Sequence, residues 1–198
     1  MAFISVFGGF GTPWGGGVGW AGSVLGDSGP NSLLGTPADD WIFGAAGNDD
    51  ITGGLGGDLL IGGAGNDHFV FLTNQDSTPW ETDTVLDFEQ GSDKLDVSAL
   101  VREFGLSWSG QTPKEHGGWY MKLAGLTYVF LDTGGTPQSP AMVIRINGRF
   151  DLTEADFIGF NFPPVLDTTP RFEPGKDMTG EVNEGGSTLI DPSTDMNF

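Results

Sequence analysis

The sequence has no cysteine. Disulfides, iron–sulfur clusters, thiolate zinc sites and thiol nucleophiles are therefore excluded. It has two histidines, so a zinc site built from three is excluded as well. Cations are scarce: 8 Lys and Arg stand against 27 Asp and Glu, a formal net charge of −19 over 198 residues. A nucleic-acid backbone needs clustered cations, and this balance argues against that partner. No apolar run approaches the roughly 18 residues that span a bilayer. Residues 1–7 carry no cationic stretch and soon give way to glycines, a poor fit to a Sec signal peptide. The expectation is a cytoplasmic protein, or one exported without a cleaved N-terminal signal. No His-Glu-x-x-His or Gly-x-Ser-x-Gly pattern is present, so no catalytic motif is expected in this chain.

Glycine and carboxylate are abundant. Glycine makes up 34 of the residues, far above the roughly 7% of ordinary proteins. From Gly35 the chain falls into nonapeptides that start at Gly35, Gly44, Gly53 and Gly62. Their sixth positions are Asp40, Asp49, Asp58 and Asp67; their eighth are Ile42, Ile51, Leu60 and Phe69. A weaker copy starts at Gly26, with Asn31 and Leu33 in those slots. After Val70 the same register puts Asp76 in a sixth slot, but the glycines are gone.

A glycine-rich hexapeptide ending in Asp does not favour helix, where each Gly costs about 1 kcal/mol. It suits a turn in which several residues take positive φ. The next three residues centre on one apolar side chain, enough for a very short strand. Turn–strand units in series predict an all-β fold, a right-handed parallel β-roll with two nonapeptides per coil. Eighth-position side chains then point inward, and sixth-position Asp residues lie in turns along two edges. Turns of one edge are two repeats apart, so Asp40 stacks on Asp58 and Asp49 on Asp67 near the ~4.8 Å strand spacing. Two carboxylates that close repel by about 3 kcal/mol at an effective dielectric of 20.

A cation among them removes that repulsion. Ca²⁺ suits the chemistry, because it takes six to eight oxygens and mixes carboxylates with the carbonyls that glycine turns expose. Mg²⁺ is smaller and keeps its waters, and transition metals would want His or Cys at the turns. The expected ligands are Asp40/Asp58 and Asp49/Asp67, then Asn31/Asp49 and Asp58/Asp76, for two to four ions. The turn glycines Gly35, Gly44, Gly47, Gly53, Gly56, Gly62 and Gly65 belong to the same sites. An Asx-turn role is the alternative for any one aspartate, and four in register argue against it.

These four copies resemble the G-G-x-G-x-D-x-U-x nonapeptide of RTX proteins. Thr36, Ala45 and Ala38 depart from its glycines. Residues 83–100 follow, with Asp83, Asp87, Phe88, Gly91, Asp93, Lys94, Asp96 and Ser98 in step with a known pattern. They resemble the stretch that closes the roll in the C-terminal domain of serralysin-type metalloproteases and in alginate epimerase R-modules. That resemblance implies either further Ca²⁺ ligands at Asp83, Asp93 and Asp96 or turn capping by them. Residues 119–123 and 126–132 flank Ala124-Gly125 as a hairpin, residues 141–147 form a third strand, and residues 150–158 look like a cap. Residues 77–160 are thus expected to be antiparallel strands that continue and close the 26–76 roll. Residues 1–25 form a Gly- and aromatic-rich lead. Residues 161–198 read as a Pro-rich linker, and within them residues 179–190 resemble the first strand of a cadherin-like or VCBS-type repeat.

In the strands, positions seven and nine face out. One sheet then presents Trp41, Phe43, Leu59 and Ile61, the other Asp50, Thr52, His68 and Val70. The apolar face is expected to be covered, by residues 3–20, by the capping strands, or by a protein partner or second copy. His68 and His116 read as surface residues. Trp14, Trp20, Trp108 and Trp119 read as packing residues rather than a sugar site. The functional expectation is a non-catalytic Ca²⁺-binding module that folds outside the cell, after export through the type I apparatus that the RTX resemblance implies. The acid-then-apolar ending at Asp195 and Phe198 resembles such an export signal. The alternatives are the C-terminal part of a larger secreted protease, epimerase or lipase, or a piece of a surface adhesin.

Overall fold

The apolar eighth position decides the architecture. Val24, Leu33, Ile42, Ile51, Leu60 and Phe69 recur every nine residues, and each is at most 2% exposed. Burying each such side chain is worth roughly 1.5–3 kcal/mol. The computed structural model describes residues 22–134 and 140–160, with the backbone alone at Phe7–Gly8. Expectations for residues 3–20 beyond that pair, including Trp14 and Trp20, and for residues 161–198 lie outside the described residues.

The strands run in chain order as β1 (Phe7–Gly8), β2 (Gly22–Leu25), β3 (Ser32–Leu34), β4 (Asp40–Phe43), β5 (Asp50–Thr52), β6 (Leu59–Ile61) and β7 (His68–Val70). Then come β8 (Thr84–Val85), β9 (Lys94–Asp96), helix α1 (Ser98–Phe104), β10 (Ser107–Trp108) and β11 (Gly117–Leu123). β12 (Leu126–Leu131), β13 (Met142–Asn147) and β14 (Phe157–Ile158) complete the set. Successive repeats alternate between two sheets. One has the order β1-β2-β4-β6-β8-β13-β12-β11-β10, the other β14-β9-β7-β5-β3. Val24 lies opposite Ile42 and Ile42 opposite Leu60; Leu33 lies opposite Ile51 and Ile51 opposite Phe69, all in parallel pairs. This is the parallel β-roll, and its core is the ladder of eighth-position side chains between the sheets.

The parallel ladder runs past residue 76. Leu60 pairs with Val85 and Phe69 with Leu95, so β8 and β9 are two more rungs, and β14 adds another beside β9. Antiparallel pairing in the closing region is confined to the meander β11–β12–β13. The expectation of antiparallel strands throughout 77–160 is corrected accordingly. Short insertions after each edge's last repeat shift the spacing without breaking the register of inward side chains. The turn joining β11 and β12 is Ala124-Gly125, with φ of 53° and 86°, the paired positive φ values of a tight hairpin.

Helix α1 was not expected. It buries Leu100, packs Val101 and Phe104 on the core, and ends at Gly105 in the left-handed conformation. At seven residues it is too short to show a helical period in the sequence. It closes the roll's end together with Phe157, Phe160 and Trp108, which cluster edge-on and tilted. Trp119 is buried and stacks on Phe130.

The cap does not lie across the outward apolar face. β13 pairs with β8 edge to edge, so β11–β13 widen the sheet instead of covering it. Trp41 and Phe43 are 50% and 41% exposed, and Leu59 and Ile61 are half-buried. The expected cover by the capping strands is therefore corrected.

Turn geometry explains the glycines by two different causes. At the first position the cause is space: a Cβ on Gly26, Gly35 or Gly44 would overlap the carbonyl of Gly44, Gly53 or Gly62 in the next turn of the same edge. At the second position the cause is backbone sign: Gly54 and Gly63 have φ of 101° and 96°, and Ala45 is held at 82° in the same slot. A Cβ in that region costs roughly 1–2 kcal/mol. Ala45→Gly should therefore stabilise the roll, by about 0.5–1 kcal/mol after allowing for the extra freedom glycine gives the unfolded chain. Thermal unfolding under identical ion conditions measures it, and a lowered melting temperature contradicts the assignment.

Candidate metal centre

The sixth-position side chains form two ladders. On one edge Asp58 Oδ1 accepts the backbone N–H of Asp40 at 2.8 Å, and Asp83 Oδ1 accepts that of Asp58 at 2.9 Å. On the other, Asp49 accepts from Asn31 at 2.8 Å, Asp67 from Asp49 at 2.9 Å, and Asp93 from Asp67 at 3.0 Å. Within the repeats each bond spans 18 residues; the last rungs span 25 and 26. Every one of these carboxylates is buried.

The rung beneath Asp58 is Asp83, not Asp76. Asp76 folds onto its own turn, accepting the N–H groups of Leu72 and Thr73 and the hydroxyl of Thr73. Its charge still reaches both Asp58 and Asp83. The expected Asp58/Asp76 pairing is thus replaced by Asp58/Asp83. The cause is the inserted stretch after Val70, which displaces the register that had placed Asp76 in the ladder.

One oxygen on each of five rungs has no partner. Asp40 Oδ1 and the Oδ2 atoms of Asp49, Asp58, Asp67 and Asp83 are buried without a hydrogen bond. In three repeats that oxygen lies against the first glycine of its own turn: a Cβ on Gly44, Gly53 or Gly62 would overlap Oδ2 of Asp49, Asp58 or Asp67. Asp40 differs, because Thr36 replaces the second glycine and gives Asp40 Oδ2 both its N–H and its hydroxyl.

Among the described residues no ion pair reaches these carboxylates. The ion pairs among the described residues are His68–Asp50, on the outward sheet face, and Lys122–Asp151, near the cap. His116 takes a loop position with φ of 50°, and its N–H donates to Asp132. Burial pushes the Asp58 carboxyl up to about 7 and Asp83 up to about 9, with the neighbouring acids adding to each. Burial likewise raises Asp49, Asp67 and Asp93.

Among the described residues no three His, Cys, Asp or Glu side chains converge on one point. A cation here would therefore need backbone oxygens as well as carboxylates. A hard, oxygen-seeking ion fits such a donor set; zinc-type ions do not.

Residues 25–159 match the family model described as Peptidase M10 serralysin C terminal. The chain belongs to this family. No curated protein sequence matches it. Among solved structures it is similar to the AlgE6R2 subunit of the Azotobacter vinelandii mannuronan C5-epimerase, at 25% identity and a TM-score of 0.50, over 72% of this chain and 95% of that one. The AlgE6R3 subunit of the same enzyme aligns at 25% identity and a TM-score of 0.44, over 85% of this chain and 93% of that one. The family is a non-catalytic, RTX-type C-terminal repeat region, and residues 25–159 of this chain are such a region. No described helix is long and apolar enough to cross a membrane.

The closing motif of this serralysin-type module divides its acids among distinct tasks. Asp83 and Asp93 are the last rungs, and Asp93 also accepts from Glu89 N–H at 2.8 Å. Asp96 stands off the ladder and accepts the Ser98 N–H at the start of α1. Asp87 grips the N–H groups of Gly62 and Gly63. The sequence motif contains Asp87 but gives it no task, because its partners lie more than twenty residues away. Asp39 likewise accepts from the N–H of Gly57, 18 residues away in the next turn of its edge.

The raised carboxyls set a pH dependence for the metal-free protein. Each prefers its proton in the folded state, so its contribution is intact below the ordinary value of 3.8 and is lost as pH rises through 7 for Asp58 and 9 for Asp83. In EDTA, β-structure measured by circular dichroism should therefore fall as pH is raised from about 4 towards 9. A metal-free signal that grows over that range contradicts this assignment.

Proposed function

We propose that this chain is a calcium-binding RTX module that folds when Ca²⁺ enters its turn ladders after export from the cell. The five buried, partnerless carboxylate oxygens carry the reading. Asp40, Asp49, Asp58, Asp67 and Asp83 would hold the ions together with carbonyls of the glycine turns, two to four ions in all. Asn31 stands at the start of one ladder and donates to Asp49, while Asp93 ends it with both oxygens engaged. When bound, the ion supplies positive charge between superposed carboxylates. The chain's own part is to bury those carboxylates in register and to leave glycine where any side chain would fill the space.

Cytosolic Ca²⁺ is too dilute for extracellular-type sites with dissociation constants near 10⁻⁴–10⁻³ M. Outside, each site at a hundredfold excess over its dissociation constant adds about 2.7 kcal/mol. The acidic chain would stay open inside the cell and close outside it. Membership in a family of secreted proteins supports an extracellular location and export by a type I apparatus. The likeness to an epimerase subunit favours a second reading, that the module is the non-catalytic part of a larger secreted enzyme.

Circular dichroism in EDTA at neutral pH should show little β-structure, and millimolar Ca²⁺ should restore it where equal Mg²⁺ does not. Full β signal and unchanged melting in metal-free buffer would sink the proposal. Asp49 and Asp58 are middle rungs, each bonded to the rungs on both sides. Asp49→Ala and Asp58→Ala should each abolish more than one ion in a calcium count, whereas Asp96→Ala should abolish none. A loss of one ion or fewer in both middle-rung variants would contradict the shared-rung arrangement.

A further inference from the structure

The first amide of a repeat has a regular partner. Gly26, Gly35 and Gly44 donate to the carbonyls of Phe43, Thr52 and Ile61, each the last residue of the following repeat. For Gly62 the Leu60–Val85 register makes that carbonyl the one of Leu86, which accepts from Asn147 Nδ2 at 3.0 Å. Asp87 occupies the role instead. Its Oδ1 accepts from Gly62 N–H at 2.9 Å and its Oδ2 from Gly63 N–H at 2.8 Å. A neutral carbonyl has been replaced by a carboxylate that clamps two amides.

Gly62 is also the glycine whose missing Cβ makes room for Asp67 Oδ2. Two carboxylates therefore meet at one turn. Asp87 is engaged through both oxygens; Asp67 is fully buried and keeps one oxygen without a partner. Asp93 lies on the Asp67 N–H, and the charge of Asp87 acts on both Asp67 and Asp93. The nearby cation Lys94 is turned elsewhere, donating to the carbonyl of Ala155 at 2.7 Å.

We propose that Asp87 is a positioning residue for a divalent cation at the Asp67–Asp93 end of its ladder. This deepens the calcium reading and rests on it. Clamping Gly62 and Gly63 fixes the turn against which the partnerless Asp67 oxygen is aimed. Its charge adds to that of Asp67 and Asp93, so this end takes a cation although the repeats have stopped and no further glycine turn follows. The opposite ladder ends at Asp83 without such a clamp: Asp76, its near acid, is committed to its own turn.

Calorimetric titration of the full chain with CaCl₂ tests this, comparing wild type, Asp87→Asn and Asp87→Glu. Asp87→Asn should weaken one site by about 10–100-fold, the usual effect of losing a supporting group around a metal. The remaining sites and the β signal at saturating Ca²⁺ should be unchanged. Asp87→Glu, which keeps the charge on a longer arm, should recover part of the lost affinity. An unaltered Asp87→Asn isotherm overturns the inference. So does equal weakening of every site with loss of β signal at saturation, since that is the mark of a purely structural clamp. A wild-type chain that takes up no Ca²⁺ overturns the calcium reading itself, a result distinct from either of these.

Discussion

A backbone amide bonded to a buried carboxylate one coil away is the interaction on which this fold depends. The roll's strands are three or four residues long, too short for sheet hydrogen bonds alone to fix one coil on the next. The Asp ladder supplies the missing connection at each turn, and it does so with a charged acceptor, which makes a stronger bond than a neutral one. The same choice brings a cost. Acids that bond in series must be buried in series, and burying a charge without a counter-charge is highly unfavourable. The fold therefore demands either protons or a cation at its edges.

The turns are shaped by that demand. First-position glycines are conserved within this chain for want of room, since carbonyl and carboxylate oxygens press on their Cα atoms. Where the pattern lapses, another group takes over: the Thr36 hydroxyl engages Asp40 Oδ2, and Asp87 answers the amides of Gly62 and Gly63. The closing region works by the same economy of groups. It adds three parallel rungs, caps the end with α1 and an aromatic cluster, and extends one sheet sideways through the meander.

Much of this was legible in the sequence because a nine-residue period leaves little freedom. Inward side chains, the two edges, the stacking of Asp40 on Asp58 and Asp49 on Asp67, and the Ala124-Gly125 hairpin all follow from spacing and local backbone preference. The failures begin where the period stops. Asp76 sits in the right slot by counting, yet the inserted stretch lets it close its own turn, and Asp83 becomes the rung. Helix α1 is too brief to announce itself, and the parallel pairing of β8, β9 and β14 depends on partners far along the chain.

The sequence by itself determined the repeating unit, because glycine placement and apolar spacing act over fewer than ten residues and admit one kind of turn and strand. It also determined that acids would be superposed, since parallel stacking copies each position onto its equivalent. Only the tertiary structure decided which oxygens are left without partners, which acid ends each ladder, and which side of the widened sheet remains exposed. Those outcomes depend on how residues separated by 18 or more positions meet, and no local preference encodes that meeting.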